Sequence, residues 1–199
     1  MIIMHIIYRI KRSLRLLYIR YKYKIDTNDV SIGKNFLASH IECVKFGHHI
    51  GISDNVELCV TYNKDILNHN NITKPSLTFG DNVWIGRDCH FGCSYDIRIG
   101  NYVIFGPSCH VSDRNHGYED INVPISLQAE VTKGPVVVGD ETWIGFGAQI
   151  MAGVHIGKHC VIGAGSIVTK DIPDYCVVGG NPAKILKRYD VKSNKWLSV

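Results

Sequence analysis

Residues 138–170 read VGDETWIGFGAQIMAGVHIGKHCVIGAGSIVTK, and an apolar residue returns at every sixth position. These apolar residues are Val138, Ile144, Ile150, Ile156, Ile162 and Val168. A period of six fits neither a helix, whose apolar stripe repeats every 3.6 residues or so, nor a strand that alternates. It is typical of one side of a solenoid built from short strands. The spacing therefore predicts coils in which each apolar residue points inward and stacks on the next.

A second set of small or compact residues accompanies the apolar ones. They follow four places later, at Thr142, Ala148, Val154, Cys160 and Ser166. The pattern extends upstream less regularly, at Ile85, Phe91, Ile99 and Phe105, and the longer step from Phe91 to Ile99 predicts a two-residue bulge. Three units make a triangular coil of about eighteen residues, and stacked coils bury a column that no single unit could bury. We therefore predict an all-β fold, a parallel β-helix.

Three motifs resemble a known family. They are VGDETWIG at 138–145, VIGAGSIVTKDIP at 161–173 and GGNPAK at 179–184. From about Thr78 to Arg188 the chain resembles the hexapeptide-repeat acyltransferases, most closely the maltose, galactoside and polysaccharide O-acetyltransferases. The resemblance implies a left-handed β-helix, an exception to the usual right-handed crossover, and a homotrimer. We expect a helical arm at 1–26, the β-helix at 27–188 and a short tail at 189–199.

The N-terminal arm is basic and amphipathic. Seven of the 22 Lys and Arg residues lie within residues 1–24, which contain no acid, so the rest of the chain carries 15 bases against 18 acids. Apolar residues recur there at intervals of three and four, as in an amphipathic helix, at Ile3, Ile6, Ile7, Ile10, Leu14, Leu17 and Tyr21. Two interpretations stay open. The helix caps the first coil, or it lies on the inner face of an anionic membrane.

The cysteines number seven, an odd count, and none are spaced as CxxC. Cys89, Cys109 and Cys160 occupy inward repeat positions, where a small apolar side chain is needed. We therefore expect reduced packing residues, no metal site and a cytoplasmic protein. Nucleic-acid binding is not expected, because the basic residues form one short arm and no groove-sized patch.

Two interruptions break the repeat, and projecting loops often carry function. Residues 61–77 are polar and rich in asparagine, and we assign them no role. Residues 112–135 begin SDRNHG and include His116. A hydroxyl needs a base in order to attack a thioester, and histidine can take that proton and pass it to the leaving thiol. His116 also matches the family's catalytic histidine, and Asp113 either orients its ring or forms a turn.

The resemblance implies further site residues. Trp143 lines the acyl site or packs at a subunit seam, and backbone N–H groups at Gly145, Phe146 and Gly147 face the oxyanion. The positions that match the family's coenzyme contacts are Ala164, Gly165, Ser166, Thr169, Lys170, Lys184 and Lys187. Lysines stand where the family has arginines, so they would meet phosphates as point charges.

These features together predict an acetyl-CoA-dependent O-acetyltransferase. The expected acceptor is a sugar hydroxyl in a surface polysaccharide, such as O-antigen or capsule, or in its lipid-linked oligosaccharide precursor. Two alternatives stay open, an amino-sugar N-acetyltransferase and a β-helix scaffold without catalysis. A scaffold has no need of His116 together with the Thr169-Lys170 edge, and this coincidence favours the enzyme.

Overall fold

The computed structural model describes residues 2–26 and 29–199, and for residues 2–9, 11 and 12 it describes the backbone alone. The helices are α1 (Ile2–Tyr23) and α2 (Lys64–His69). The strands, in chain order, are β1 (Val30–Ile32), β2 (Leu37–Ser39), β3 (Val44–Phe46), β4 (Ile50–Ile52), β5 (Glu57–Val60), β6 (Ser76–Phe79), β7 (Trp84–Ile85), β8 (His90–Cys93), β9 (Asp96–Ile99), β10 (Ile104–Phe105), β11 (His110–Ser112), β12 (Asn115–His116), β13 (Glu130–Val131), β14 (Val136–Val138), β15 (Trp143–Ile144), β16 (Gln149–Ile150), β17 (His155–Ile156), β18 (Val161–Ile162), β19 (Ile167–Val168), β20 (Cys176–Gly179), β21 (Lys184–Asp190) and β22 (Lys195–Ser198). Short 3-10 turns lie at Ile41–Cys43 and Ile125–Leu127.

The strands build a prism with three faces. Face A has the order β1-β4-β7-β10-β15-β18-β20, face B the order β2-β5-β8-β11-β16-β19, and face C the order β3-β6-β9-β14-β17. Pairing within these runs is parallel, and the chain visits A, B and C in turn. Each circuit therefore adds one strand to each face, about 4.8 Å from the strand before it. This arrangement is a parallel β-helix, the predicted architecture.

The six-residue repeat lines the inside of the prism. The apolar residues at every sixth position from Val138 to Val168, and their compact companions from Thr142 to Ser166, are at most 2% exposed. The inward period is therefore confirmed. Each inward side chain stacks on its register partner in the next coil, as Ile144 does on Ile162. The cysteines at the predicted inward positions, Cys89, Cys109 and Cys160, are buried free thiols within this column.

The long connections leave the prism at one corner, between faces B and C. Residues 61–75 follow β5 and residues 113–135 follow β11. Between them, Ser94 and Tyr95 follow β8 and form the predicted two-residue bulge. Because β5, β8 and β11 are neighbours in face B, the two loops project side by side. The first loop also contains α2, whose Ile66 is buried, so it is more than the polar excursion that we expected.

α1 contacts the first coil through residues of its C-terminal half, including Arg15, whose guanidinium donates to the carbonyl of Ile32 at 3.1 Å. Ile19 and Tyr23 are buried there, and the ring of Tyr23 meets that of Phe36 edge to face with centroids 5.5 Å apart. Four residues of the predicted apolar stripe point away from the coil and are each more than half exposed: Ile10, Leu14, Leu17 and Tyr21. The side chains of Ile3, Ile6 and Ile7 lie outside the described residues. Within the described part of the chain, no helix is both long and apolar enough to cross a bilayer.

The C-terminal residues do not form the simple tail that we expected. β21 and β22 form an antiparallel hairpin that continues face A beyond β20. The rings of Tyr189 and Trp196 pack edge to face in it, with centroids 5.4 Å apart. The hexapeptide spacing stops before this point, so periodicity carried no signal for the hairpin. The last coil is therefore extended by paired strands.

Candidate active site

His116 lies on a two-stranded hairpin within the second loop. β12 and β13 pair antiparallel, with His116 directly opposite Glu130 and Asn115 opposite Val131. The imidazole is exposed, and across residues 2–26 and 29–199 the structure gives it no hydrogen-bond partner. His116 borders two clefts, one of about 680 Å³ and one of about 230 Å³. A base at this junction can serve a ligand that spans both clefts.

The smaller cleft is walled by two histidines from neighbouring coils. His90 and His110 are register partners in face B, and their rings stack with centroids 4.9 Å apart and planes inclined by 3°. Gly92 lies beneath them, because a Cβ there would come within 3.3 Å of Cε1 of His90. Burial lowers the pKa of His110, and the charges of His90 and Arg114 act in the same direction. His110 therefore presents a neutral, flat wall beside His116.

The larger cleft is framed by residues of the second loop, 115–119, 128, 129 and 131–133. The N–H of Gly117 donates to the carbonyl of Ala129 at 3.0 Å. The side-chain amide of Gln128 donates to the carbonyls of Asp120 and Val123, at 2.9 and 2.8 Å. These hydrogen bonds tie the two arms of the loop together, so the cleft is formed before a ligand enters.

Asp113 is placed differently from our expectation. Its side chain is fully buried, and its two carboxylate oxygens accept hydrogen bonds from the backbone N–H groups of Ser94 and Tyr95, at 2.8 and 2.9 Å. Burial raises the pKa of this carboxyl, while the backbone N–H groups lower it, and burial has the larger effect. The carboxylate thus fastens the start of the second loop to the bulge of the preceding coil. Its geometry does not direct it at the ring of His116.

A polar network joins the two loops beside His116. The guanidinium of Arg114 donates to the hydroxyls of Thr61 and Ser94, the latter at 3.0 Å, and lies 3.8 Å from Oε2 of Glu130. The side-chain amide of Asn63 donates to the same Oε2 at 2.8 Å. The Oδ1 of Asn63 also accepts from the first N–H groups of α2, so this residue caps the helix. The first loop is therefore built into the surroundings of the candidate base.

One side-chain group near the smaller cleft has the chemistry of metal ligands. Glu57, Cys59 and His90 each place a donor atom within 4.8 Å of the others. The guanidinium of Arg114 lies 3.9 Å from Sγ of Cys59. A positive charge at this distance opposes binding of a second cation. The group is therefore better suited to hold Arg114 than to hold a metal ion.

The predicted acyl-site residues lie at another corner, between faces A and B. Trp143 is half exposed at the start of the two-residue strand β15, and residues 145–147 form the turn that follows this strand. The N–H groups of Gly145 and Gly147 donate to carbonyls of neighbouring coils, at 2.8 and 2.9 Å, so they are not free to bind an oxyanion. This corrects two of the three predicted donors. In the described residues the N–H of Phe146 has no recorded partner, and neither has that of Ala164 one coil later.

The predicted coenzyme residues divide between the two corners. Ala164 and Gly165 are exposed at the A–B corner, above Phe146, whose carbonyl accepts from Gly165 at 2.7 Å. Ser166 is fully buried, and its hydroxyl donates to the carbonyl of Gly163 at 2.6 Å, so its side chain supports the turn and cannot contact a surface ligand. Ser166 is therefore a correction to the predicted contacts.

The remaining coenzyme candidates are exposed at the C-terminal end of the prism. Thr169 and Lys170 follow β19 at the B–C corner, the corner that carries His116. β11 and β19 are separated by β16 alone, so these two sites leave face B about 10 Å apart. Lys184 and Lys187 are exposed on β21, opposite Gly179 and Val177. Thr169 and Lys170 therefore share a corner with His116, whereas Lys184 and Lys187 lie on the extension of face A.

Sequence reasoning did not single out Asn63, Arg114 or Glu130. Asn63 and Glu130 are 67 residues apart and lie in the two non-repeating loops, so the six-residue period carries no information about their contact. The partial signal for Glu130 is the hairpin itself, because a strand pair in the second loop would place one residue opposite His116. The stacking of His90 on His110 had a clearer signal, since both precede an inward residue, Phe91 or Val111.

Comparisons with known proteins agree with the parallel β-helix fold. Residues 135–170 match the family model "Bacterial transferase hexapeptide (six repeats)". The Mycobacterium tuberculosis protein "Probable acetyltransferase Rv3034c" is 41% identical over 112 residues, which are 56% of this chain and 37% of that protein. Galactoside O-acetyltransferase of Escherichia coli is 34% identical over 116 residues, which are 55% of this chain and 56% of that protein.

A solved structure is also similar, the maltose O-acetyltransferase from Clostridium difficile. Its TM-score is 0.55 and its sequence identity is 27%, and the match covers 81% of this chain and 67% of that chain. The present chain spans 37% and 56% of the two curated relatives, less than two thirds of either. The similarity therefore does not extend over the full length of either curated relative.

Proposed function

We propose that this chain, which belongs to the hexapeptide-repeat acyltransferase family, transfers the acetyl group of acetyl-CoA to a sugar hydroxyl. The position of His116 carries the proposal, because its exposed ring stands where two clefts meet, on the corner that also holds Thr169 and Lys170. The similarity to galactoside and maltose O-acetyltransferases supports a sugar as the acceptor. In a cell, that sugar belongs to a surface polysaccharide or its lipid-linked precursor.

The chemistry proceeds by direct transfer in this proposal. A ring nitrogen of His116 takes the proton of the acceptor hydroxyl as the oxygen attacks the carbonyl carbon of the thioester. The carbon–sulfur bond then breaks, and the imidazolium returns the proton to the departing thiolate. The products are an acetyl ester and the free thiol of coenzyme A. A Cys93 acyl-enzyme is not needed, and burial raises the pKa of that thiol and keeps it protonated.

The oxyanion and the coenzyme require donors that the coils leave unused. The N–H groups of Phe146 and Ala164, which have no hydrogen-bond partner among the described residues, suit a carbonyl or amide oxygen of the acyl donor. The exposed ammonium groups of Lys170, Lys184 and Lys187 suit the phosphates of coenzyme A. The proposed contacts to acetyl-CoA therefore come from these backbone N–H groups and lysines, and the buried hydroxyl of Ser166 makes none.

The two separated corners favour a homotrimer, and the family resemblance implies that its coils are left-handed. Trp84, Ile104 and Trp143 are register partners on face A and form an apolar column, 52%, 49% and 53% exposed. A second exposed apolar patch lies on the second loop, at Ile121, Ile125 and Leu127. In a closed ring, unlike surfaces of neighbouring subunits meet. Contact between these surfaces would bring Trp143 of one subunit toward His116 of the next.

The exposed stripe of α1 supports contact with a membrane surface. The apolar residues Ile10, Leu14, Leu17 and Tyr21 are accompanied by exposed Arg20, Lys22 and Lys24, and residues 1–24 contain no acid. An apolar stripe beside basic residues suits the interface of an anionic bilayer. A peripheral position on the inner face of the membrane would bring the enzyme to a lipid-linked acceptor.

An acetyl-transfer assay tests the function. The protein is incubated with acetyl-CoA and a panel of sugars, oligosaccharides and amino sugars, and free thiol and product mass are measured. We expect acceptor-dependent thiol release that His116→Ala lowers by about 10²–10⁴-fold, because general-base catalysis contributes that much. His159→Ala is the matched control, since this exposed histidine pairs with Glu141 at the C–A corner.

The product distinguishes the alternatives. An ester on a sugar supports the O-acetyltransferase, whereas an amide formed only with amino sugars would establish the N-acetyltransferase instead. Absence of thiol release with every acceptor, together with absence of coenzyme A binding by calorimetry, would indicate a scaffold. An unchanged rate in the His116→Ala protein would remove His116 from the mechanism.

A further inference from the structure

A carboxylate directly across the hairpin faces the candidate base. In an antiparallel pair, residues directly opposite one another project from the same face, with Cβ atoms about 5 Å apart. His116 and Glu130 are such a pair, and both line the smaller cleft. The imidazole of His116 and the carboxylate of Glu130 can therefore come within hydrogen-bonding distance after small changes of side-chain torsion.

One oxygen of this carboxylate is held and the other is unused. Asn63 donates to Oε2 of Glu130 at 2.8 Å, and the guanidinium of Arg114 lies 3.8 Å from the same atom. For Oε1 the structure records no hydrogen bond among the residues that it describes. A carboxylate oxygen can accept two hydrogen bonds. Glu130 is thus fixed at one oxygen and can accept an imidazole N–H at the other.

Asp113, the other carboxylate near the loop, cannot position the ring of His116. Both oxygens of Asp113 accept from backbone N–H groups inside the prism, and the side chain is fully buried. We propose that Glu130 is the residue that positions the ring of His116, and that Asn63 in the first loop holds Glu130 in place. This inference rests on the proposed role of His116 as the base.

The pairing determines which ring nitrogen can act. An imidazole N–H that donates to Oε1 of Glu130 leaves the lone pair on the other nitrogen free for the acceptor hydroxyl. When that nitrogen takes the proton, the carboxylate stabilises the imidazolium, and the proton then passes to the thiolate. Glu130 itself neither gains nor loses a proton. The first loop therefore takes part in catalysis through Asn63 without touching the substrate.

Two substitutions separate positioning from folding. Glu130→Gln retains the shape, but its amide can present an N–H to the ring and reverse the tautomer, so we expect kcat to fall by about 100-fold or more. Asn63→Asp retains a good cap for α2 and replaces the donor to Glu130 with a second carboxylate. We expect this variant to lose kcat as well, with the KM for acetyl-CoA and the thermal midpoint little changed. Glu141→Gln is the matched control, expected to retain wild-type kcat.

A spectroscopic measurement tests the pair without turnover. Long-range ¹H–¹⁵N spectra of the ring of His116, assigned with His116→Ala and recorded at pH 8.5, report which nitrogen carries the proton. We expect one tautomer in the wild type and in Glu141→Gln, and the opposite or a mixed state in Glu130→Gln. An unchanged His116 spectrum in Glu130→Gln would overturn the inference. Because the spectrum needs no acceptor, it stands apart from the assay of the proposed function.

Discussion

The ring of His110 is held neutral beside the candidate base by its surroundings. It stacks on His90, is partly buried and faces the charge of Arg114, and burial is the largest cause of its lowered pKa. The unfolded chain therefore binds this proton at higher pH than the folded chain does. The stability that neutral His110 contributes is present above the ordinary imidazole pKa of about 6.5 and is lost as the pH falls below it.

We expect His110→Gln to reduce the loss of stability between pH 7.5 and pH 5.5. Glutamine has no proton to gain, so the variant lacks the linkage that penalises the folded state in acid. The measurement is the free energy of unfolding in urea at several pH values for both proteins, with pH 8 as the reference where an ordinary imidazole is neutral. Equal losses of stability in the two proteins would contradict the assignment.

α1 has apolar side chains both on the side that contacts the prism and on a side that faces away from it. Ile19 and Tyr23 pack on the first coil, whereas Leu14 and Leu17 point away from it. We expect the double substitution Leu14→Ser, Leu17→Ser to weaken binding to vesicles of anionic phospholipid by at least about tenfold, because the stripe supplies the buried apolar area. Flotation or sedimentation of the vesicles measures the effect.

The same pair of substitutions should affect membrane binding without affecting the stability of the fold. Neither side chain packs in the fold, so we expect each change to alter the free energy of unfolding by no more than about 0.5 kcal/mol. Val191→Ser, which removes an exposed apolar side chain at the opposite end of the chain, is the matched control and should retain vesicle binding. Wild-type protein that stays free in the presence of anionic vesicles would refute the membrane contact.

For the whole molecule, the apolar column on face A should set the number of subunits. We expect wild-type protein to have three times the 22.3 kDa mass of the chain in light scattering. Ile104→Lys places a charge in the middle of the column, and an unpaired charge in an interface costs several kcal/mol. The variant should therefore dissociate to monomers while its far-ultraviolet circular dichroism is retained.

A lysine elsewhere on the surface is the comparison for this experiment. Leu37 is 55% exposed on face B in the first coil, so Leu37→Lys adds the same charge away from the column. It should leave the mass unchanged. If the wild-type protein has the mass of a single chain, the proposal that Trp143 of one subunit approaches His116 of the next is wrong.

Much of the prism was predictable because its contacts repeat. Ile144 stacks on Ile162 for the same reason that Ile150 stacks on Val168, so one period describes all coils. The start of the second loop could also be predicted from the sequence, because the repeat stops after Val111. His116 was predicted to be the base from the resemblance and from its chemistry, and this stays a prediction; the structure shows that His116 is exposed and lines two clefts.

The remaining features depend on contacts that occur once. Nothing periodic links Asn63 to Glu130, and an Asp-x-x-His spacing cannot reveal that Asp113 turns inward to hold the N–H groups of Ser94 and Tyr95. The orientation of α1 was equally hidden, because the helix is apolar on more than one side. A pattern specifies which residues avoid water, and the partner that covers them is decided by the rest of the fold.

The single exit corner has a consequence for how this scaffold can change. The strand-pairing hydrogen bonds between coils run through the three faces, so residues added between His116 and Glu130 leave both these bonds and the anchoring bonds of Asp113 in place. Doubling the length of a flexible loop costs only about 0.6 kcal/mol of closure entropy. The residues between His116 and Glu130 can therefore be exchanged as a cassette, while Asp113 anchors the start of the loop and Val136 rejoins face C. Changes in this loop could therefore alter which acceptor the proposed enzyme binds without lowering the stability of the β-helix.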